Sequence, residues 1–407
     1  MSQFKDTDIG PIPNEWEISN IGSVADVTKL AGYEYTEYFE YSENDEIIAL
    51  RALNVREGVL DLENVKYISR DISEALPRSK LLKHDLLFTY IGANIGQFAI
   101  VPENDRFHLA PNICRFRCNR NYHYYFLYSY MRSSAFRDSL EGYSHGSSQP
   151  TLPMGIIRTI PVPVPPLPEQ KAIASVLSSL DDKIDLLHRQ NKTLEAMAET
   201  LFRQWFIEEA KEDWDDFLVA DIATHVKDNV TPSKAPLDLF HHFSLPAYDS
   251  GLNPSIELGS EILSNKYRIS ADSILVSKLN PRVPRVWLLR DVQDNFVCST
   301  EFQNLKPNDV SHLMFLYGLF KSREVIDELS MSASGTSGSH QRVRPDDMLN
   351  IRFSAPNFDY LTSYAILVEK KIQKVMTNRV QIQTLEKLRD TLLPKLMSGE
   401  VRVKYEA

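Results

Sequence analysis

Residues 168–206 read PEQKAIASVLSSLDDKIDLLHRQNKTLEAMAETLFRQWF, and apolar residues recur through this stretch at alternating intervals of four and three. Such a seam is typical of a long helix that packs lengthwise against a second helix. The seam consists of Ile173, Leu177, Leu180, Ile184, Leu187, Asn191, Leu194, Ala198, Leu201 and Trp205. A helix of about 39 residues would be roughly 58 Å long. The alternative is that the helix packs only on its own domain.

The second half of the chain repeats the first half in the same order. Thr193–Glu195 recurs 191 residues later as Thr384–Glu386, and Trp16 has a counterpart in Trp214. Between the matches the offset varies from 187 to 198 residues, as insertions and deletions would cause. An internal repeat of this length predicts two similar structural units.

The repeat transfers the seam to the C-terminal part of the chain. Its members there are Tyr364, Val368, Lys371, Val375, Asn378, Ile382, Leu385, Arg389, Leu392 and Leu396. Two seams in one duplicated chain favour two helices that pack antiparallel about a pseudo-two-fold axis, with a globular part at each end. Each seam contains one asparagine, Asn191 and Asn378. We place the two in different layers and expect each to fix the register.

Each repeat predicts an α+β globular part followed by a helix. Short alternating or apolar runs predict strands at 46–50, 86–90, 97–101 and 273–277. Helical spacing runs through 122–137 and 311–329, and the proline-rich segment 161–168 predicts extended backbone. The predicted boundaries are 1–165 for the first globular domain, 166–207 for the first spacer helix, 208–357 for the second domain, 358–400 for the second helix and 401–407 for a tail.

The composition is that of a folded protein. The 407 residues are 43% hydrophobic, 25% charged and 10% aromatic, which argues against disorder. The absence of a long apolar run and the polar N-terminus predict no membrane span and no signal peptide, so we expect a cytoplasmic protein. Three cysteines fit a reducing compartment, and Cys114, Cys118 and Cys298 have no second ligand pair at zinc spacing. We therefore expect no metal site.

The net charge of −10 opposes a nucleic-acid partner, but the charge is unevenly distributed. Residues 1–69 contain 5 Lys/Arg and 14 Asp/Glu, whereas 70–150 contain 10 and 7, and 264–345 contain 11 and 8. Two mildly basic regions therefore lie in an acidic chain. They are compatible with phosphate contacts but do not require them.

Three segments resemble those of a known family. They are Ile12–Trp16 (IPNEW), Pro165–Gln170 (PPLPEQ) and Leu393–Glu400 (LPKLMSGE). These segments resemble those of type I restriction-modification enzyme specificity (S) subunits, and the resemblance covers nearly the whole chain. The resemblance implies two target-recognition domains that alternate with two spacer helices in an antiparallel coiled coil. One departure is Ala355–Phe358, which stands in the second copy where the first has PPLPEQ, so the start of the second helix is less well defined.

The resemblance also implies the partners of the chain. They are double-stranded DNA, two methylation subunits and two restriction subunits, for which the chain would serve as a scaffold, with no membrane involved. No cofactor is expected on this chain. S-adenosylmethionine, ATP and Mg²⁺ are expected on the partner subunits.

The catalytic motifs of such an enzyme are missing from the sequence. An adenine methyltransferase needs Asn/Asp-Pro-Pro-aromatic, and the nearest match, Asn280–Arg282, fails at its third position. The glycines at 92–96 and 335–338 are not followed by the lysine of a P-loop and predict ordinary loops. Asp181-Asp182 is interpreted as part of a solvated helix, and we expect no catalytic role for it or for Asp346-Asp347. We expect no catalytic activity from the chain alone.

DNA contacts are expected on loops, where Arg or Lys suits guanine and Asn or Gln suits adenine. The candidates in the first domain are Lys80, Asn94, Gln97, Ser144, His145, Ser147, Ser148 and Gln149. Those in the second domain are Lys278, Asn280, Arg282, Arg285, Ser337, Ser339, His340, Gln341 and Arg342. Arg78, Arg115 and Arg117 are further candidates for phosphate contacts. For each residue the alternative is an ordinary surface loop.

The two candidate sets share Gly-Ser-x-Gln, at 146–149 and 338–341, and otherwise differ. A shared motif suits backbone positioning or phosphate contact, whereas the differing residues would carry specificity. The sequence thus predicts an asymmetric, bipartite DNA site whose halves are at most about 17 base pairs apart. Two alternatives stay open: an orphan DNA-binding regulator or decoy without methyltransferase partners, and a structural adaptor that binds proteins at both ends.

Overall fold

The computed structural model of the chain describes residues 4–56, 58–141, 150–333 and 341–404. The chain folds into two compact units. Unit 1 comprises Met1–Leu186 and Gln381–Ala407, and unit 2 comprises Leu187–Val380. The unit boundaries cut across both long helices, so each unit contains one globular part and a segment of each helix.

The globular part of unit 1 is built from two sheets. The four-stranded antiparallel sheet has the order Phe98–Ile100, Leu86–Thr89, Ile113–Cys118, Ala25–Lys29, and the three-stranded sheet has the order Phe107–Leu109, Ile47–Leu50, Lys66–Ile68. Shorter antiparallel pairs are Phe4–Lys5 with Ile12–Pro13, Val55–Arg56 with Val59–Leu60, and Glu17–Asn20 with Pro161–Val164. The α-helices are Ile21–Val24, Gly32–Tyr38, Arg70–Ala75, Tyr124–Met131, Ser134–Glu141 and Met154–Thr159.

Unit 2 has a similar arrangement, with five strands in its second sheet where unit 1 has three. Its four-stranded sheet has the order Ala223–Val226, Phe302–Pro307, Ser273–Ser277, Val286–Leu289, and its second sheet has the order Asn229–Val230, Lys266–Arg268, Phe296–Ser299, Leu239–Phe243, Ser255–Leu258. Asp215–Leu218 pairs with Arg352–Ala355. The α-helices are Val219–Ile222, Leu245–Asp249, Leu313–Lys321, Arg323–Ser332 and Pro345–Leu349.

The duplication inferred from the sequence is visible in the topology. The four-stranded sheets have the same strand order, and each second sheet contains one parallel pair, Ile47–Leu50 with Phe107–Leu109 and Leu239–Phe243 with Phe296–Ser299. The repeated Phe-Leu-Tyr sequence begins at Phe126 and Phe315, which are both fully buried in the cores of their own units. The predicted α+β class is confirmed.

The two long helices lie close to the predicted positions. The first is Leu167–Arg203 and continues as a π-helical turn through Gln204–Glu208, and the second is Phe358–Met397. The start of the second helix needs no proline-rich entry, because the side chain of Asn357 accepts a hydrogen bond from the Tyr360 amide at 3.0 Å. An N-cap of this kind satisfies an otherwise unpaired donor of the first helical turn.

Within each unit the helix segments run antiparallel. In unit 1, Asp181 accepts a hydrogen bond from Arg389 at 3.1 Å, and Glu169 accepts one from Arg402 beyond the end of the second helix at 2.6 Å. In unit 2, Asn191 pairs with Asn378, and Tyr364 donates to the carbonyl of Ala198 at 3.3 Å. Every predicted seam position is buried or half-buried, so the paired-helix prediction is confirmed.

The prediction that Asn191 and Asn378 fall in different layers is wrong. The Asn378 side-chain amide donates to Oδ1 of Asn191 at 2.8 Å, and both side chains are buried. When the two seams are aligned by the sequence repeat, the asparagines fall at different seam positions. The helices pack antiparallel, however, so one seam runs in the reverse direction and the two asparagines face each other. The pair still suits a register-fixing role, because a slipped register would leave each amide buried without its partner.

Asp181 is also not the solvated residue that the sequence suggested. Its carboxylate accepts hydrogen bonds from Tyr125 and Arg132, each at 2.7 Å, and from Arg389 at 3.1 Å. The side chain is 21% exposed. Asp181 therefore joins the first helix to the globular part and to the second helix within unit 1.

The three segments that carry the family resemblance meet in unit 1. The indole N–H of Trp16 donates to Glu169 at 3.1 Å, and Arg402 donates to both oxygens of Glu169 and to Glu15. Gly399 has φ +72° and lies so close to Pro13 that a Cβ atom there would be 2.4 Å from its ring. These segments hold the chain ends against the first helix, and both Glu169 and Trp16 are fully buried.

The described residues offer few reactive groups. Cys114 and Cys298 are buried and Cys118 is nearly so, and burial raises the pKa of the Cys118 and Cys298 thiols to about 12. No cluster of three metal-binding side chains occurs in the described ranges. No helix in those ranges is both long and apolar enough to cross a bilayer.

Candidate nucleic-acid interface

In unit 1 the candidate residues Asn94 and Gln97 lie on a tight loop, residues 90–97, between two strands of the four-stranded sheet. The Gly96 amide donates to the Thr89 carbonyl at 3.0 Å, and the Thr89 amide donates to the Gln97 carbonyl at 2.8 Å. The loop turns at Gly92 and Gly96, which have φ of +98° and +91°. Glycine adopts this left-handed conformation without the steric cost that a side chain brings.

The equivalent loop of unit 2, residues 278–285, has the same backbone pattern. The Ser277 amide donates to the Arg285 carbonyl at 2.9 Å, as Thr89 does to Gln97. The Val283 amide donates to the Asn280 carbonyl at 3.0 Å, and at the equivalent positions of unit 1 the Ile95 amide donates to the Gly92 carbonyl. Asn280 has φ +49° at the position of Gly92, and asparagine tolerates this conformation better than most residues.

A second segment is hydrogen-bonded to each loop. In unit 1 the Gly92 amide donates to the Pro150 carbonyl at 3.0 Å, and in unit 2 the Asn280 amide donates to the Gln341 carbonyl at 3.0 Å. Isolated bridges join Ile91 to Thr151 and Leu279 to Arg342. The candidates Gln341 and Arg342 are thus brought beside Lys278 and Asn280, as an interface requires. This register aligns Gln341 with Pro150, one residue away from the Gln149 that the shared sequence motif suggested.

A third segment completes each site. The Tyr90 amide donates to the Asn112 carbonyl at 3.1 Å, and the Lys278 amide donates to the Glu301 carbonyl at 2.9 Å. We call these three-segment arrangements platform 1 (90–97, 112 and 150–152) and platform 2 (278–285, 301 and 341–343). The sequence missed Asn112 and Glu301, because each comes from a distant part of the chain.

Platform 2 contains five charged side chains, which are Lys278, Arg282, Arg285, Glu301 and Arg342. Glu301 lies 3.9 Å from Nζ of Lys278 and 3.2 Å from the nearest nitrogen of Arg342. Arg285 donates to both oxygens of Asp249, at 2.7 and 2.9 Å, and this hydrogen bonding raises the pKa of the Arg285 guanidinium. Arg285 is therefore held by the protein itself. Arg282 is exposed on the loop, and its side chain has no partner among the described residues.

The side chains of platform 1 are neutral. Asn94 is exposed at the position equivalent to Arg282, and Gln97 is half-buried. Tyr90 is mostly buried, with Nζ of Lys29 5.3 Å from its ring centre, and burial raises the pKa of its hydroxyl to about 12. The tyrosine therefore stays neutral at physiological pH.

A cavity of about 420 Å³ opens beside platform 1. Its lining includes Asn94 and Asn112 together with Tyr35, Tyr41 and Arg51. The sequence analysis missed the last three, although tyrosine recurs through residues 33–41 and would have been a usable signal. Aromatic and amide groups around such a cavity suit contact with the sugar or base edges of a nucleic acid.

Lys80 pairs with Asp105 at 3.6 Å, and its side chain is 27% exposed. Two of the arginines proposed to face phosphates are paired with carboxylates of the protein. Arg115 is buried and paired with Asp26, and burial lowers its pKa. Arg117 donates to both oxygens of Asp85 at 2.7 Å. Alternation along a strand could not separate these internal ion pairs from solvent-facing cations.

Several candidates lie outside the described residues. They are Ser144, His145, Ser147, Ser148 and Gln149 of the first domain and Ser337, Ser339 and His340 of the second. Their proposed role in DNA contact stays a prediction. In the sequence, residues 144–149 directly precede Pro150 and residues 337–340 directly precede Gln341.

The sequence is similar to a known family and to known proteins. The family described as type I restriction modification DNA specificity domain matches residues 13–196. The chain is 26% identical over 446 aligned positions to the type I restriction enzyme MjaIX specificity subunit of Methanocaldococcus jannaschii, covering 99% of this chain and 97% of that protein. It is 24% identical to the EcoKI specificity subunit of Escherichia coli, over 43% of this chain and 38% of that protein.

The fold is similar to that of a solved protein. The type I restriction-modification S subunit from M. genitalium superposes with a TM-score of 0.63 at 15% identity, covering 94% of this chain and 96% of the other. The resemblance that the three sequence segments carried is confirmed over the length of the chain.

Proposed function

We propose that this protein reads DNA sequence for a type I restriction-modification enzyme. The chain is similar along its whole length to a specificity subunit of such an enzyme. The observation that carries the proposal is the pair of platforms. Their backbone hydrogen bonds match, whereas the side chains at the loop tips, Asn94 and Arg282, differ. Matched backbones with different side chains suit two similar modules that read different bases.

We further propose that the DNA site is asymmetric and bipartite. One half would be read by platform 1 and the segment that precedes Pro150, the other by platform 2 and the segment that precedes Gln341. Amide donors and acceptors suit adenine, whereas the cations of platform 2 suit guanine or phosphate. The bases between the halves would not be read.

The partners proposed for the chain are two methylation subunits and the restriction subunits of a type I enzyme. This chain would supply sequence recognition and no catalytic group. S-adenosylmethionine would be bound by the methylation subunits, and ATP and Mg²⁺ by the enzyme's other subunits. Because the proposed ligand is DNA, we also propose a cytoplasmic location for the chain.

Methylation-sensitive long-read sequencing of the host genome tests the proposal directly. The expected result is adenine methylation within one bipartite, asymmetric motif, lost when the gene is deleted and restored by the intact chain. Exchange of residues 208–357 for those of another specificity subunit should change one half of the motif only. Exchange of residues 4–165 is the matched control and should change the other half.

Two results would contradict the proposal. If tagged protein never co-purifies with a methylation subunit and no bipartite motif is methylated, the chain is an orphan DNA-binding regulator or decoy. If it also fails to bind DNA in a salt-dependent manner, it is a protein-binding adaptor, because phosphate contacts release counterions and produce a steep salt dependence.

A further inference from the structure

The carboxylate of Glu301 lies between two cations of platform 2. Its Oε1 is 3.9 Å from Nζ of Lys278 and 3.2 Å from a terminal nitrogen of Arg342, and its Oε2 accepts a hydrogen bond from Nε of Arg342 at 3.4 Å. A lone carboxylate on a DNA-reading surface would repel phosphates. Its position is explained if it acts on the cations beside it.

The backbone of platform 2 does not depend on the Glu301 side chain. The Lys278 amide donates to the Glu301 carbonyl, and the Val343 amide donates to the Lys278 carbonyl, both at 2.9 Å. The side chains of Lys278, Glu301 and Arg342 are 22%, 28% and 55% exposed. Substitution of the carboxylate should therefore leave the fold intact while freeing the two cations.

A held arginine keeps most of its hydrogen-bonding capacity. The guanidinium group has five N–H donors, and Glu301 engages two of its nitrogens, so donors remain for a ligand. A lysine beside it adds up to three donors. Restricting long side chains before binding reduces the entropy lost on binding. Arg and Lys donors match the two acceptors, O6 and N7, that guanine presents in the major groove.

We propose that Glu301 is a positioning residue that holds Lys278 and Arg342 to read guanine, so the half-site of unit 2 contains a G·C pair specified by these cations. The inference rests on the proposed function and names the base for one half of the site. At the equivalent positions platform 1 has Asn112, Tyr90 and Thr151, which include neither a cation nor a carboxylate. Platform 1 therefore lacks this arrangement of two cations held by one carboxylate.

The test uses the complete methyltransferase, reconstituted from the full chain and its methylation subunits, on a DNA duplex library randomised in each half-site. Methylation of each sequence gives the discrimination at every position. Arg342→Ala and Lys278→Ala should each reduce discrimination at one G·C position of the unit 2 half-site about 5- to 150-fold. The unit 1 half-site should be unchanged.

Glu301→Gln should relax the same position while leaving overall binding as strong as before or stronger, because the two cations stay and a negative charge is lost. The slope of log affinity against log salt should steepen by about one unit as one more cation becomes free to pair with phosphate. Glu301→Asp should recover part of the discrimination. Asp228→Asn is the matched control: it removes one charge from the exposed ion pair with Arg268, 3.7 Å apart and outside both platforms, and should change neither quantity.

Three outcomes would overturn the inference. The first is a unit 2 half-site that contains no G·C pair. The second is that every variant discriminates between bases at the G·C position as strongly as the wild type does. The third is Glu301→Gln behaving as Asp228→Asn does, with unchanged salt slope and discrimination. In all three the wild-type enzyme still methylates a bipartite site, so the proposed function stands. If the wild type methylates no sequence in the library, the proposed function itself fails and the inference with it.

Discussion

Platforms 1 and 2 have the same backbone and different chemistry. Each joins a tight loop to a following segment and to the start of a core strand through equivalent amide and carbonyl groups. At equivalent positions platform 1 has Tyr90, Asn94 and Asn112, whereas platform 2 has Lys278, Arg282 and Glu301. The duplicated part of the site is thus its backbone frame, and the part that differs is the set of side chains that this frame carries.

The equivalent tryptophans of the two units show a similar contrast within the core. Trp16 is fully buried and donates to buried Glu169 at 3.1 Å, whereas Trp214 is half-buried and packs edge-on against Tyr360, 5.3 Å between ring centres. Unit 1 therefore depends on its tryptophan for a buried polar network, whereas unit 2 uses its own as a packing residue. The two copies have diverged in what stabilises them as well as in what they present.

The largest expected effect tests that contrast. Trp16→Ala should reduce the opening free energy of unit 1 by about 3–5 kcal/mol, because it leaves a cavity and deprives buried Glu169 of a donor. Trp214→Ala is the matched substitution and should cost unit 2 about 1 kcal/mol, as its side chain is partly exposed. Hydrogen–deuterium exchange at strands Ile113–Cys118 and Phe302–Pro307 measures each unit separately. Equal losses in the two units would show that the contrast has no energetic consequence.

The two long helices offer a second comparison, for which the expected change in stability is of intermediate size. Asn191 and Asn378 form a buried amide pair, whereas their sequence equivalents in the opposite helices, Ile382 and Leu187, are buried apolar residues. Asn378→Leu should destabilise the chain by about 1–3 kcal/mol, because Asn191 keeps a buried amide without its donor. The double substitution Asn191→Leu with Asn378→Leu should restore or exceed wild-type stability in urea denaturation.

A register measurement completes that test. If the asparagines fix the alignment of the helices, the double variant should be stable but heterogeneous in cysteine crosslinking between facing seam positions, whereas the wild type should give one pattern. A double variant with the wild-type pattern would leave the pair as a polar contact without a role in register. A double variant less stable than the single variant would contradict the account of the pair altogether.

The features that could be predicted from the sequence are those marked by a repeating pattern, either along one helix or between the two halves of the chain. The 4-3 spacing located both helices to within a few residues, and the 191-residue offset predicted two similar units. The strands at 86–90 and 273–277 were also found, because apolar runs bounded by turn residues are typical of buried strands. These signals can be read from the sequence alone, because they do not depend on which residues pack against each other.

The missed features depend on contacts between distant segments. Glu301 joins the candidate site through a residue 41 positions away in sequence, and the ion pair of Arg115 with Asp26 spans 89 positions. A single sequence does not show which alternate residue of a strand faces an internal carboxylate. The Asn191–Asn378 pair was missed for a related reason: the copies were compared in parallel, although the predicted helices were antiparallel.

The smallest expected effect compares the two loop tips. Arg282→Ala should flatten the salt dependence of DNA binding by about one unit, because an exposed and unpaired cation contributes one phosphate contact or less. Asn94→Ala should leave the slope unchanged, since a neutral side chain releases no counterion, and should alter only base discrimination in the half-site of unit 1. Fluorescence anisotropy of a labelled duplex at four or more salt concentrations separates the two. A slope that changes with Asn94 and not with Arg282 would mean that the charged platform faces away from the DNA, and the assignment of platform 2 to base reading would have to be abandoned.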